Sequence, residues 1–133
     1  MADTALAVLA GVSTRLKAFP GLVTYKDSIF TAVPQGAAFP YVEINIMSQP
    51  FAANDFSGQQ HTVRVQAHSQ SGSKKEALTI RQQVMAALDR QEAQLTIAGT
   101  MLVKCEYDGF SDCFIEDDGK TWQSVIEFQI ITM

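Results

Sequence analysis

The sequence predicts an α+β fold, with a mainly antiparallel sheet of four to five strands and helices packed on one face. Three observations lead to this prediction. In two segments apolar residues recur at steps of three and four, which is typical of one face of a helix. In several others they alternate with polar residues, which is typical of half-buried strands. The length of 133 residues suffices for one core, so we expect a single domain over residues 1–133.

The composition narrows the classes of function. With 47% hydrophobic and 18% charged residues, the chain is typical of a globular protein. Its formal net charge is −4 and its basic residues form no cluster, so a duplex-binding surface is not expected. Apolar runs end before a membrane-spanning length of about 20 residues, and the N-terminus lacks the basic start of a secretion signal. We therefore expect no membrane partner, and a reducing cytoplasm in which Cys105 and Cys113 stay free.

The first element is a helix predicted over residues 4–19. Its apolar side chains, at helical spacing, are Leu6, Leu9, Val12, Leu16 and Phe19. Asp3 or Thr4 can cap the helix. The helix ends before Pro20, because the residue that precedes a proline is pushed out of the helical region.

An irregular or weak edge strand is predicted over residues 22–30, followed by a Pro-Gly turn at residues 33–36. Pro40 then makes the approach to the next strand rigid. From Tyr41 onward the alternation is strict, which predicts a half-buried antiparallel strand. One face carries Val42, Ile44 and Ile46, and the other carries Tyr41, Glu43, Asn45 and Met47.

A long polar loop is predicted over residues 48–60, as the extended tip of a hairpin whose second strand covers residues 61–69. The loop contains Phe51 and Phe56 among polar residues that include Asn54 and Asp55. Two interpretations fit this pattern. The two rings fold back onto the protein's own core, or they anchor a partner, since exposed aromatic residues are enriched at interfaces.

A second helix begins after Ser73, which forms a Ser-x-x-Glu capping pattern with Glu76, and ends near Asp89 or Arg90. Its apolar face carries Ala77, Ile80, Val84, Ala87 and Leu88. Two strands follow, over residues 94–107 with a kink at residues 98–99 and over residues 121–132. An Asp-Gly turn at residues 116–120 connects them.

No catalytic, cofactor-binding or metal-binding residue is predicted. His61, His68, Cys105 and Cys113 are the candidate soft ligands, and their spacings match no zinc pattern. The two histidines are seven residues apart on one strand, so they fall on opposite faces, and we expect one at an edge and one facing solvent. Cys105 is expected in the core. The acidic run at residues 116–118 lacks the alternating ligands of a calcium loop, so a solvated turn is expected.

Several segments together resemble the phage minor tail proteins called tail completion or tail terminator proteins. These segments are "IFTAVPQGAAFPYVEINIMSQ", "HTVRVQAHSQS", "KKEALTIRQQVMAAL" and "DDGKTWQSVIEFQI", after an N-terminal helix. The similarity covers about residues 4–132, and its most specific part is "PQGAAFPYV". Gene transfer agents, which are phage-like particles, use similar parts. The resemblance implies a structural virion protein rather than an enzyme.

The resemblance also implies a set of partners. Such proteins form a homo-oligomeric ring, commonly hexameric, on the end of a long tail tube, where they stop polymerisation of the tube protein and dock to the head connector or stopper protein. DNA would pass through the lumen without specific binding, since mild acidity does not attract phosphates. We expect localisation in the virion, at the head-tail junction, after assembly in the host cytoplasm.

The residues expected at the interfaces with neighbouring rings are Phe51, Asn54, Asp55 and Phe56 in the loop and Asp117 and Asp118 in the turn. Two alternatives stay open. The protein is another neck or tail component, such as a stopper or tail tube subunit, because a shared fold does not fix function. The less favoured alternative is a small hydrolase that uses His61 or Cys113.

Overall fold

The structure, a computed structural model, describes residues 3–53 and 56–133, and the side chains of residues 51–53 and 56 lie outside the description. In chain order, the elements are α1 (Ala5–Ala18), a 3-10 helix (Pro20–Ser28), β1 (Ile29–Phe30), β2 (Tyr41–Ala53), β3 (Phe56–Ser69), α2 (Lys75–Leu88), a short 3-10 helix (Glu92–Gln94), β4 (Leu102–Ile115) and β5 (Trp122–Thr132).

The five strands form one sheet in the order β1-β2-β3-β5-β4. All neighbouring strands are antiparallel except β1 and β2, which are parallel. Both long helices pack on the same face, where their apolar side chains join those of the strands in one core. The α+β prediction with helices on one face is therefore confirmed, although the sheet is mixed because of the short β1.

Helix α1 faces the sheet with most of the predicted stripe, since Leu9 and Phe19 pack partly buried against the core and only Leu6 is misplaced. Val8, Val12 and Leu16 are fully buried, whereas Leu6 is 80% exposed. Leu6 lies about 200° around the helix from Val8, so both cannot face the core. Within residues 3–53 and 56–133, no single helix is long and apolar enough to cross a membrane, although α1 and the following 3-10 helix pass that test as a pair bent by 115°.

The central strands confirm the predicted alternation. Val42 and Ile44 of β2 and Val63 and Val65 of β3 are buried beneath the helices. The predicted loop over residues 48–60 is wrong, because β2 continues to Ala53 and β3 begins at Phe56. These residues pair in register, with Ser48 opposite His61 and Pro50 opposite Gln59. Ser48, Gln49 and Pro50 are exposed, so burial does not select for apolar alternation there.

Three other predicted features differ from the structure. Residues 20–28 form a 3-10 helix rather than an edge strand, and β1 is only two residues long. The turn lies one residue later than predicted, since the N–H of Ala37 donates to the Pro34 carbonyl while Gly36 takes a φ of +78°. Glu76 accepts a hydrogen bond from Ser69 instead of completing a capping box.

Helix α2 is confirmed, with all five predicted apolar residues buried, but the strand after it runs over residues 102–115 instead of 94–107. Gly99 (φ +76°) forms a turn before the strand begins. Gly109 (φ +88°) lies where the pairing shifts between Tyr107 and Ser111. The extra residues of this bulge break the alternation, and a break in alternation is what hides a strand in the sequence.

Candidate interaction surfaces

The face of the sheet opposite the helices, called the open face here, carries an excess of negative charge. Strand register places four carboxylates on it, those of Glu43, Glu106, Asp112 and Glu127, and two basic side chains, Arg64 and Lys104. Both basic groups are already paired. Arg64 Nε donates to Glu127 Oε2 at 2.7 Å, and Lys104 Nζ lies 3.5 Å from Glu106 Oε2. The open face is therefore poorly suited to binding phosphates.

His68 connects β3 to β2 and to the turn after β4 at one end of the open face. Its ring stacks on Tyr41 with 4.7 Å between centroids, and its Nδ1 lies 3.2 Å from Glu116 Oε2. Its Nε2 is 3.8 Å from Glu43 Oε1 and has no hydrogen-bond partner among the described residues. Burial, with smaller contributions from the Glu116 and Glu43 carboxylates, raises the pKa of Tyr41.

The turn between β4 and β5 holds the two predicted interface residues Asp117 and Asp118. Asp118 Oδ1 accepts the N–H groups of Lys120 at 2.9 Å and Thr121 at 2.8 Å, and Oδ2 accepts the Thr121 hydroxyl. These hydrogen bonds, with that of the Thr121 side chain the largest, lower the pKa of Asp118. Asp118 therefore shapes the turn, whereas Asp117 is exposed at its tip.

The hairpin of β2 and β3 projects past the rest of the sheet. The last pair between β3 and β5 is Gln59 with Thr132, so the strands continue beyond β5. Of the predicted interface residues, Asn54 and Asp55 lie outside the described residues, as do the side chains of Phe51 and Phe56. The backbone of residues 51 and 56 lies in the two strands, at the end of the hairpin that is called the hairpin tip here (residues 51–53 and 56–58).

A buried polar network around His61 was missed by sequence reasoning. The imidazole is fully buried, with Nδ1 2.7 Å from Ser48 Oγ and Nε2 2.9 Å from Thr4 Oγ1. Thr4 Oγ1 also lies 2.8 Å from Thr132 Oγ1, 128 residues away in sequence. No local signal predicts such a contact. The prediction that the two histidines lie on opposite faces is confirmed. Neither lies at a sheet edge or faces solvent, since β3 is an inner strand and both residues are at least 92% buried.

Neither cysteine has the environment of a nucleophile. Cys105 is buried and its Sγ lies 3.2 Å from the Leu88 carbonyl, and burial followed by nearby carboxylates raises its pKa to about 12. Burial also raises the pKa of Cys113. Raised pKa values disfavour the reactive thiolate. Across residues 3–53 and 56–133, no three His, Cys, Asp or Glu side chains come together as metal ligands.

Comparison with known families finds one that matches almost the whole chain. The family described as "Tail completion protein gp17" matches residues 6–133. The chain belongs to this family. Tail completion proteins are structural components of the virion, and membership places this protein in the virion tail. The family resemblance given by the sequence segments is thereby confirmed.

The fold of this tail completion protein also occurs in a solved particle. It is similar to a chain of the structure "Virion of native gene transfer agent (GTA) particle", with a TM-score of 0.81 over 96% of this chain and 94% of that chain. The sequence identity is 17%, so this similarity shows a shared fold. No curated protein sequence matches the chain.

Proposed function

We propose that this tail completion protein is the terminator of a long tail in a phage or gene transfer agent. Six copies form a ring on the end of the tail tube, stop addition of further tube subunits and bind the head connector or stopper protein. A ring of identical copies needs two complementary side surfaces, and it needs two axial surfaces for two different partners.

The observation that carries the proposal is the placement of the two protruding segments. Register places the turn at residues 116–120 beside Trp122, at one end of β5, and the hairpin tip beyond Thr132, at the other end. An 11-residue strand spans about 35 Å at roughly 3.3 Å per residue. One subunit can therefore reach a tube ring with one segment and a connector ring with the other.

The negative charge of the open face fits a lumen through which DNA passes without binding. Its carboxylates outnumber its basic groups, and both basic groups are paired. A lumen lined by this face would let DNA pass without binding it, because attraction to the phosphates depends on unpaired cations. The absence of a nucleophile environment at His61 and Cys113 gives the hydrolase alternative no support within the described residues.

The test is the assembly behaviour of the purified chain with and without tail tubes. Light scattering over a concentration series and negative-stain imaging should find one ring of discrete mass, either free or on the end of a tube. Tubes grown in the presence of the protein should carry at most one such ring at an end. Open-ended stacking of the protein by itself would instead identify a tube subunit, and binding to connectors without tubes would identify a stopper.

A further inference from the structure

The segment after α2 covers the first half of the β4 edge of the sheet. Glu92 Oε1 accepts the N–H of Cys105 at 3.0 Å, and Asp89 Oδ1 accepts that of Tyr107 at 2.9 Å. This half of β4 lies towards the hairpin tip. The second half lies towards the other end of the sheet, called the turn end here because it carries the turn between β4 and β5. A contact between copies through this edge is therefore expected at the turn end.

The second half of the β4 edge carries a basic patch on the side of the helices. Arg81 Nη1 donates to the Asp112 carbonyl at 3.0 Å, which uses one of the five N–H donors of the guanidinium. Lys74, the residue before α2, is exposed, and so is Ile115. Burial raises the pKa of Cys113, and the opposing effects of Arg81 and Lys74 show that both cations lie near it. Neither cation forms a salt bridge within the part of the chain that the structure describes.

The opposite edge of the sheet carries an acidic patch with aromatic rings, and this patch lies on the open face. The ring of Phe39 is exposed, and its centroid lies 5.2 Å from that of Tyr41. Two residues further along β2, the partly exposed Glu43 has its Oε1 3.8 Å from Nε2 of the buried His68, which is too long for a hydrogen bond. No Lys or Arg of residues 3–53 and 56–133 forms a salt bridge with Glu43. The patch thus presents a carboxylate that a cation from another copy can bind.

The acidic patch and the basic patch lie at the same level along the strands. One cross-strand row runs from Glu43 through Gln66 and Val125 to Asp112. Arg81 binds the carbonyl at the far end of this row. Three strand spacings of about 4.8 Å place the two ends of the row about 14 Å apart, so the patches do not meet within one subunit. Surfaces at one level can meet in neighbouring copies that are related by rotation alone, as in a closed ring.

We propose that the acidic patch of one copy binds the basic patch of the next copy in the ring, with Glu43 paired to Arg81. The acidic patch faces away from the helices and the basic patch faces their side, so the two meet when neighbouring subunits overlap at their edges. Opposite charges favour this contact over one between like patches. The rings of Phe39 and Tyr41 add a surface on which a guanidinium can stack. This inference rests on the proposed function.

Charge reversal tests the pairing on the full chain. Arg81→Glu and Glu43→Arg should each raise the concentration at which rings form by at least about tenfold, because each places like charges opposite one another. An equal mixture of the two variants should form rings at the wild-type concentration, since a ring with an even number of copies closes when the variants alternate. Lys17→Glu, at an exposed position of α1 outside both patches, should change the concentration less than about twofold. Light scattering and native mass spectrometry measure the rings, and negative-stain imaging detects those on tail tubes.

The outcomes separate this inference from the proposed function. Circular dichroism checks the fold of each variant. If Arg81→Glu does not fold, Lys74→Glu takes its place and should weaken the ring in the same direction, since this exposed side chain makes no capping hydrogen bond. Rings of both single variants at the wild-type concentration would overturn the inference and leave the proposed function standing, as would a mixture of folded variants that stays dissociated. A wild-type chain that forms no ring, free or on tail tubes, would overturn both.

Discussion

Oγ of Ser48 lies 2.7 Å from Nδ1 of His61, a fully buried imidazole whose other nitrogen lies 2.9 Å from Thr4 Oγ1. The ring thus connects β2 to the residue that precedes α1, next to the base of the projecting hairpin. Burial lowers the pKa of His61, and the opposing effect of Asp3 is smaller. Burial thus favours the neutral form of the ring.

This gives a prediction for the pH dependence of stability. The folded state binds the His61 proton more weakly than the unfolded state, whose pKa is about 6.5. The contribution to stability is therefore fully present above about pH 6.5 and is lost as the pH falls towards the lower folded pKa. Urea unfolding at pH 7.5 and pH 5 should show this loss, and His61→Gln, which keeps polar contacts without titrating, should show a smaller one. A larger pH dependence in the variant would contradict the assignment.

Two leucines on α1 provide a comparison of burial within one helix. Leu16 is fully buried and Leu6 is 80% exposed. Leu16→Ala should lower the free energy of unfolding by about 2–5 kcal/mol, because it leaves a cavity. Leu6→Ala should change it by less than about 0.5 kcal/mol. Urea denaturation measures both, and similar losses in the two variants would show that α1 packs with another face.

Gly11 should not tolerate alanine, although alanine favours helices. A Cβ at this position would lie 2.6 Å from both Ile97 Cδ1 and the Thr96 carbonyl oxygen. The strain should outweigh the gain of about 1 kcal/mol in helix propensity, so Gly11→Ala should lower the free energy of unfolding by roughly 1–3 kcal/mol. Adding Ile97→Val removes only one of the two contacts. Full recovery in that double variant would show that the backbone contact at Thr96 is not limiting.

The thiols should react slowly in the folded protein. Burial holds the pKa of Cys105 at about 12 and raises that of Cys113. Labelling with a disulfide reagent at pH 7.5 should proceed at Cys113 first, since Cys105 is fully buried, and both should react readily in denaturant. Cys113→Ser should leave the native protein almost unreactive. Rapid labelling of that variant would mean that Cys105 becomes exposed by a local opening whose free energy is far below that of global unfolding.

Replacing Phe51 and Phe56 together with serine should reduce tail or head joining while leaving the fold intact. The reason is the proposed contact of the hairpin tip with a neighbouring ring. Infectivity and electron microscopy of particles measure the defect. A suitable control is the pair Met101→Ser and Met133→Ser, two exposed apolar residues close to the same end of the sheet. Normal particles from the phenylalanine variant would remove the hairpin tip from the interface.

How far the sequence predicts this fold depends on burial. Where one face packs on the helices, as at Val42, Ile44 and Val65, the alternation identifies the strand and its inward residues. Beyond the core this signal disappears, so residues 48–53 look like a loop although they are paired. At β4, the bulge near Gly109 shifts the alternation, and the strand boundaries are misplaced by eight residues at each end.

The candidate surfaces were harder to predict than the fold. The turn at Asp117 and Asp118 follows from a local Asp-Gly signal. The location of that turn relative to the hairpin tip does not, because it depends on β5 lying between β3 and β4. The protection of β4 by Asp89 and Glu92 is likewise invisible in sequence, since both residues look like ordinary solvated carboxylates after a helix.

The position of β5 determines when the sheet can be completed during folding. The last strand of the chain occupies the sheet between β3 and β4, and Thr132 within it contacts Thr4 beside the first helix. Until that strand has formed, β4 has no partner, β3 is paired only with β2, and the core is open on one side. A chain without β5 therefore cannot close this sheet, and its open strand edges would favour aggregation.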